Sequence, residues 1–166
     1  MNRTNTLKLI FFVILCEIIG SIGAIFTTPN IPTWYATLTK PFFSPPNFLF
    51  APVWTTLFLL MGISLYIVWN KKENLKKKGK KFNLQRKIAL WLFGIQFALN
   101  VLWSYLFFGL RNPLFGFIGI VALWLSIIVT IVYFYKVDKK SAYLLMPYIL
   151  WVSFAMLLNY FVMILN

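Results

Sequence analysis

Residues 34–54 have the sequence WYATLTKPFFSPPNFLFAPVW and lie between two long apolar runs. This stretch contains four of the eight prolines and two of the seven tryptophans, and Lys40 is its only charged residue. Each proline removes a backbone donor and disfavours helix at the preceding residue, so the sequence predicts a loop here. Because so many aromatic rings need an apolar surface, we interpret the stretch as a lid over a bundle of membrane helices.

The chain on both sides of this stretch is dominated by apolar residues. Hydrophobic residues make up 61% of the sequence and charged residues only 11%, whereas a soluble domain has about a quarter of its residues charged. Five apolar runs approach the ~20 residues that a membrane-spanning helix needs. We therefore predict an all-α integral membrane protein, a single domain over residues 1–166 with the lid between its first two helices. The predicted helices cover residues 7–26, 51–69, 88–110, 114–135 and 143–165.

The first apolar run has a second interpretation. Positive charges precede it, and Ser21-Ile22-Gly23 resembles the small-x-small site at which signal peptides are cleaved. However, the run continues to Phe26 and contains Glu17, which a signal-peptide core does not normally carry. We therefore favour a retained helix.

The charge distribution predicts an orientation in the cell membrane. Sixteen basic and three acidic residues give a net charge of +13. Fourteen of the basic residues fall on one side of the predicted bundle, and only Lys40 and Arg111 fall on the other. Since positively charged loops remain in the cytoplasm, we expect the N-terminus and the lysine-rich segment 71–87 there, and the lid and C-terminus outside. A strongly basic chain can also indicate nucleic-acid binding. Here the basic residues flank the predicted membrane spans, so we interpret them as a signal for orientation and expect no nucleic-acid partner. Binding of segment 71–87 to anionic lipid headgroups is a second interpretation, which we rank below the orientation signal.

Few residues in the chain can carry reaction chemistry. It has no histidine, one cysteine, and three carboxylates that lie far apart in the sequence. No metal cluster, nucleophile triad or phosphate-binding loop can be assembled from these, so we expect no metal and no cofactor. Glu17 is the one carboxylate within a predicted span. It is either a functional residue or a protonated side chain bonded to a neighbouring helix.

One face of the third predicted helix carries polar and aromatic side chains at i, i+4, i+7 and i+11: Gln96, Asn100, Trp103 and Phe107. Amides in hydrocarbon are costly without partners, so this face should point into the bundle or a cavity. Gly94 and Ala98 lie on the opposite side. Their spacing suits close helix contact, within one chain or between two copies as a homodimer.

Aromatic residues of several helices converge near the lid. The fifth predicted helix has a comparable face, which carries Tyr148, Trp151, Ala155 and Asn159. Trp54, Trp103 and Tyr148 lie toward the lid end of their helices. Such stripes are more often packing than binding surfaces, but their convergence indicates a wall against which a flat aromatic ligand could stack.

These motifs together resemble the translocator protein family, whose bacterial-type members are known as TspO or tryptophan-rich sensory proteins. The resemblance spans the whole chain and rests on these motifs in order: Trp34-Tyr35, Lys40-Pro41, Pro45-Pro46, Pro52-Val53-Trp54, Ala98-Leu99-Asn100 with Trp103, Phe107-Phe108-Gly109-Leu110-Arg111, Pro147-Tyr148, Trp151, Phe154-Ala155 and Leu158-Asn159-Tyr160. It implies a five-helix bundle, often dimeric, with a pocket near the lid. Family members bind porphyrins such as protoporphyrin IX, and other flat hydrophobic molecules.

The resemblance also implies which residues form the pocket. By position these are Ala24, Trp34, Trp54, Asn100, Trp103, Trp151 and Ala155, to which the converging aromatic faces add Tyr148. Phe115 stands where animal members place a pocket tryptophan. Animal members also bind cholesterol through a pattern with a basic residue shortly after the last tyrosine, and no basic residue follows Tyr160.

We expect a membrane receptor or sensor that binds porphyrins. The alternatives are a light-dependent porphyrin-degrading enzyme, with Trp54 or Trp151 as the electron donor, and a tetrapyrrole transporter. Transport ranks last because Glu17 alone offers little for a proton-coupled cycle. Membrane lipid is the remaining expected partner.

Overall fold

The computed structural model describes residues 3–71 and 75–166, and for residues 75–79 the backbone alone. All regular structure in these residues is helical. Helix α1 (Arg3–Asn30) continues into a π-helical turn at Ile31–Tyr35, and a 3₁₀ turn at Asn47–Leu49 leads into α2 (Phe50–Asn70). Helix α3 (Leu75–Ser104) continues into a second π-helical turn at Tyr105–Gly109. The remaining helices are α4 (Pro113–Val137), the short α5 (Lys139–Leu144) and α6 (Met146–Leu165).

Among the residues that the structure describes, five helical segments are long and apolar enough to cross a membrane. They are Arg3–Tyr35, Asn47–Asn70, Lys80–Gly109, Pro113–Val137 and Lys139–Leu165. The predicted five-helix, multi-pass membrane protein is thereby confirmed. The five segments form one bundle in which α1 packs against α2 and α3, α3 against α4, and α4 against α6.

The first helix is longer than the sequence predicts. We expected it to end at residue 26 and the lid to begin at Trp34, yet helical structure runs through Thr37. Pro29 and Pro32 lie within this extension. Proline keeps a helical φ and removes one hydrogen bond, and the wider π-helical turn accommodates the mismatch. Only residues 38–46 between α1 and α2 lie outside helices, and we call these nine residues the lid loop.

The lid loop is attached to the end of α6. The Thr39 backbone N–H donates to Asn166 Oδ1 at 2.9 Å, and Asn166 Nδ2 donates back to the Thr39 carbonyl at 3.0 Å. Phe43 adds edge-to-face contacts, with its ring centroid 6.2 Å from Phe154 and 5.4 Å from Phe161. The predicted lid is therefore held by the last membrane helix.

The third helix begins earlier than predicted, at Leu75 instead of residue 88. We placed its start where the apolar run begins, but lysine, leucine, glutamine and arginine all favour helix, so α3 extends beyond the apolar run. Arg86 Nη1 donates to the carbonyls of Trp69 (3.2 Å) and Lys71 (3.3 Å), which terminates α2. Residues 72–74 of the lysine-rich segment lie outside the described residues.

The fifth segment also begins earlier than the predicted residue 143. Asp138 caps α5 by accepting from the backbone N–H groups of Lys140 (2.9 Å) and Ser141 (3.2 Å). Lys71 forms a salt bridge with the same carboxylate. Burial raises the pKa of Asp138, but the hydrogen bonds from Lys71, Ser141 and Lys140 outweigh it and hold that pKa below its ordinary value. The carboxylate therefore stays ionised and joins the ends of α2 and α4.

The backbones of α1 and α2 are in direct contact at Gly62 of α2. A Cβ atom at this position would lie 2.6 Å from the Cα of Val13 and 2.9 Å from the carbonyl oxygen of Phe12. Both neighbours are backbone atoms of α1, so no side-chain rotation can relieve the overlap. Glycine at residue 62 therefore sets the distance between α1 and α2.

Candidate ligand-binding site

A cavity of about 370 Å³ lies between α1, α2 and α3, close to the lid loop. This volume is within the range of pockets that bind small organic molecules. The α1 side contributes Glu17, Gly20, Ser21, Gly23, Ala24, Thr27, Thr28, Ile31 and Pro32. The α2 and α3 sides contribute Asn47, Phe50, Ala51, Trp54, Thr55, Phe58, Asn100, Trp103, Ser104 and Phe108.

Aromatic rings of α2 and α3 form one wall of this cavity. Trp54 stacks on Phe58 with centroids 5.4 Å apart, and it lies 6.2 Å from Trp103 at an interplanar angle of 30°. The Trp103 ring is in turn nearly parallel to Phe107, at 6.0 Å and 15°. Neighbouring rings therefore pack on one another along this wall.

Buried hydrogen bonds fix this wall from behind. Asn100 Nδ2 donates to the Tyr148 hydroxyl at 3.1 Å, and that hydroxyl donates to Gln96 Oε1 at 3.0 Å. Trp103 Nε1 donates to Asn159 Oδ1 at 3.3 Å. All five side chains are buried. The prediction that Gln96 and Asn100 face the bundle interior is confirmed, and α6 supplies their partners.

The α1 wall of the cavity is polar and shallow. Ser21 Oγ donates to the Glu17 carbonyl at 2.7 Å, and Thr27 Oγ1 donates to the Gly23 carbonyl at 3.0 Å. Because these hydroxyls use their protons within the helix, their oxygens remain available as acceptors. Gly20 lets the Phe58 ring lie directly against the α1 backbone, since a Cβ there would overlap the ring. The cavity thus has one aromatic side and one side of small and hydroxyl-bearing residues.

Four of the predicted pocket residues line this cavity together: Ala24, Trp54, Asn100 and Trp103. Two others lie directly behind its wall. Tyr148 lies 6.3 Å from Trp54 between ring centroids, and Trp34 packs edge-to-face on Phe107 at 5.4 Å. These two residues can shape the wall without touching a ligand in the cavity.

The other three predicted residues are not part of the cavity lining. Trp151 packs 6.3 Å from Phe50 and lines a separate open groove between α2 and α6. Ala155 is buried in α6, where its carbonyl accepts from Asn159 Nδ2 at 2.9 Å. Phe115 is 46% exposed in the first turn of α4.

Sequence reasoning missed the hydroxyl-bearing part of the site. Ser21, Thr27, Thr28 and Thr55 line the cavity, and so does Ser104 on α3. A signal for the α1 residues is present in the sequence, because polar or small residues recur at i, i+3 or i+4, and i+7 from Glu17 through Thr28. The spacing that identifies the aromatic faces of the other helices therefore also indicates this polar face of α1.

Glu17 lies on the α1 wall, half-buried, and we predict that it acts as a neutral structural group. Replacing it by glutamine keeps the hydrogen-bonding shape and removes ionisation, so the affinity for protoporphyrin IX should stay within about threefold, less than 1 kcal/mol. Fluorescence titration of the purified Glu17→Gln variant measures this affinity. A hundredfold loss, about 2.7 kcal/mol, would instead show that the Glu17 charge takes part in binding.

Comparison with known proteins identifies one family and several similar proteins. The TspO/MBR family matches residues 12–165. The tryptophan-rich protein TspO of Archaeoglobus fulgidus is 45% identical over 98% of this chain and 99% of its own length. Protein CrtK of Rhodobacter capsulatus is 40% identical over 97% and 93%, and the translocator protein of Bos taurus is 34% identical over 90% and 84%.

Proposed function

Because the chain belongs to the TspO/MBR family, we propose that it is a membrane receptor or sensor whose α1–α2–α3 cavity binds flat tetrapyrroles of the protoporphyrin type. The observation that carries the proposal is that one cavity has an aromatic wall, in which Trp54 and Trp103 are within 30° of parallel, and a second wall of small and hydroxyl-bearing residues. A flat macrocycle gains stacking energy on Trp54 and Trp103, and its edge finds hydrogen-bond partners on α1.

The two ends of the cavity differ in their access to water. Glu17, which we predict to be neutral, is on the wall at the end away from the lid loop, whereas Asn47 and Phe50 line the lid end, where the second span begins. The acidic side chains of a porphyrin need water or polar partners when ionised, and the lid end lies nearer to the membrane surface. We therefore expect the ring to lie between Trp54 and α1 with its acidic groups toward the lid loop.

Titration of the purified protein with protoporphyrin IX in the dark tests the proposal directly. Trp54 and Trp103 line the cavity, so a bound porphyrin should quench their fluorescence with a saturable, one-site profile. Quenching that rises linearly with ligand concentration would indicate partition into detergent and contradict the proposal.

Light-driven breakdown of the bound porphyrin is a second candidate function, favoured by the position of the Trp54 indole on the cavity wall, 6.2 Å from Trp103. The excited macrocycle would take one electron from the indole and pass it to dioxygen, which becomes superoxide. The indole radical cation would then recover an electron from the macrocycle, and the macrocycle radical cation and superoxide would combine into an oxygenated product. The ligand, light and dioxygen would supply the chemistry, and the protein would supply the donor and its geometry.

Replacing Trp54 by phenylalanine separates binding from photochemistry. The aromatic wall remains, so dark affinity should fall less than about tenfold, in the range of aromatic pair energies. If Trp54 donates electrons, light-driven loss of bound porphyrin should slow at least about tenfold, as followed by the porphyrin absorbance under constant illumination.

The matched control for this experiment is Trp151→Phe, because Trp151 lies behind Phe50. We expect a smaller effect there than at Trp54. Equal photobleaching in the wild type, both variants and protein-free detergent would eliminate the enzymatic candidate.

A homodimer through the outer face of α3 is also proposed. Trp91 on this face is 76% exposed and Ile95 is 50% exposed. These residues leave an apolar surface against which a second copy of the chain can pack.

We further propose that the N-terminus is cytoplasmic and the lid loop extracytoplasmic. Single cysteines introduced at Asn47 and at Lys139, in a Cys16→Ser background, show on which side of the membrane each end of the bundle lies. A membrane-impermeant maleimide added to intact cells should label the cysteine at residue 47 and not the one at 139. The reverse pattern would overturn the orientation.

A further inference from the structure

A second cavity, of about 270 Å³, lies between the same three helices at the end away from the lid loop. Phe58 and Phe97, whose ring centroids are 5.8 Å apart, lie between the two cavities. Its lining is apolar throughout: Phe12, Leu15, Cys16, Ile19, Leu65, Trp69, Leu90, Phe93, Gly94 and Phe97. A cavity with this lining suits an alkyl chain and offers nothing to the polar edge of a tetrapyrrole.

On both α1 and α3, a lysine lies about one helical turn before the residues that line this cavity, on the same face of the helix. On α1, Lys8 precedes the lining residues Phe12, Leu15 and Ile19 by four, seven and eleven positions. Side chains at this spacing share one face of a helix. Lys8 is exposed, so its ammonium group can reach the membrane surface above the cavity while its methylenes follow the apolar wall.

The same register holds on α3. Lys87 precedes the lining residues Leu90, Gly94 and Phe97 by three, seven and ten positions, and Lys87 is exposed. Two of the three helices that line the cavity therefore place a lysine at the end away from the lid loop, which we call the basic end of the bundle. Both lysines lie on the same helix faces as residues that line the cavity.

Arg86 adds a third basic group at the same end of the bundle. Its Nη1 atom is occupied by the carbonyls of Trp69 and Lys71. Its Nε atom is buried and has no hydrogen-bond partner among the described residues. This Nε atom is closed to a lipid phosphate, so Arg86 contributes its positive charge, next to Trp69, which lines the cavity.

We propose that the second cavity is a binding site for an anionic glycerophospholipid. One acyl chain occupies the cavity between α1, α2 and α3, and the phosphate and anionic headgroup lie against Lys8, Lys87 and Arg86. Basic pockets between membrane helices are a recurrent form of lipid-headgroup recognition. The site is separate from the proposed tetrapyrrole cavity and does not depend on it.

Native mass spectrometry of the delipidated full chain tests the proposal, with dioleoyl phosphatidylglycerol and dioleoyl phosphatidylcholine added as probes. The acyl chains are identical, so the headgroup charge alone differs. We expect the wild type to retain the anionic lipid about tenfold more strongly. The double variant Lys8→Gln and Lys87→Gln should bring the two lipids to equal retention. The double variant Lys139→Gln and Lys140→Gln removes the same amount of positive charge elsewhere at the basic end. It should keep the preference for the anionic lipid.

A second pair of variants tests the acyl-chain position. Gly94→Leu places a side chain in open space of the cavity and should reduce retention of both lipids at least about fivefold. Ala98→Leu, one turn away on the exposed face of α3, should leave it unchanged. Lipid adducts are compared within each oligomeric state, so a change in dimerisation cannot imitate lipid loss.

Three results would each overturn the proposal. One is equal retention of the two lipids by the wild type. Another is an equal loss of preference in the Lys139/Lys140 control, which would reduce the effect to bulk charge. The third is full lipid retention by the Gly94→Leu variant.

Discussion

Replacing Gly62 by alanine is expected to lower the free energy of unfolding by at least about 3 kcal/mol, at or beyond the upper end of the usual cost of overpacking a core. The added methyl would lie 2.6 Å from the Cα of Val13 and 2.9 Å from the carbonyl oxygen of Phe12. Both are backbone atoms of α1, so the two helices must separate along their contact. That separation loosens the packing of α1 on α2 and widens the cavity between them.

Gly94→Ala is the matched control for this experiment. A Cβ at Gly94 meets nothing within 4 Å, and alanine favours helix over glycine by about 1 kcal/mol. The control should therefore be neutral or stabilising. Loss of the monodisperse peak on heating in detergent gives the unfolding temperature of each variant. Similar unfolding temperatures for Gly62→Ala and the wild type would contradict the close backbone contact.

Filling the first cavity should have the second large effect. Ala24 lines the cavity and is exposed within it, so a phenylalanine there enters the cavity without displacing the core. We expect Ala24→Phe to weaken protoporphyrin IX binding at least about a hundredfold, or 2.7 kcal/mol. The unfolding temperature should stay close to that of the wild type.

Ala122→Phe provides the control, since Ala122 is an exposed alanine on α4 and should face lipid. It adds the same side chain outside the cavity, and affinity should be unchanged. Fluorescence titration with protoporphyrin IX in the dark measures the affinity of both variants. Wild-type affinity in the Ala24→Phe variant would place the tetrapyrrole outside this cavity, whatever the outcome for the rest of the fold.

The five spans and the inward face of α3 were predictable, because both follow from hydrophobicity and helical spacing. Gln96 and Asn100 stand out since an amide in an apolar run has few alternatives to the bundle interior. The length of α1 was not predictable by the same reasoning. Pro29 and Pro32 are typical helix terminators, and the π-helical turn that accommodates them depends on packing of Trp34 and Tyr35 against Phe107 and Phe108.

The residues of the candidate site were predictable in part, because helical spacing shows which face of a helix points into the bundle. Trp54, Asn100 and Trp103 lie on helices that adjoin the cavity directly. The predicted residues of α6 lie behind those helices, since the distance of a helix from a cavity depends on packing order, which periodicity does not reveal. Gly20 and Gly62 illustrate the same limit, because each glycine matters through the atoms of a neighbouring helix.

The attachment of the lid loop to Asn166 has a consequence for the rates of ligand exchange. The residues that hold a ligand are on α1, α2 and α3, whereas the two hydrogen bonds to Thr39 hold the lid loop on α6. Breaking these bonds should lower the barrier to entry and exit alike, because neither bond touches the ligand. In an Asn166→Ala variant we therefore expect a shorter residence time and faster association, with the equilibrium constant nearly unchanged.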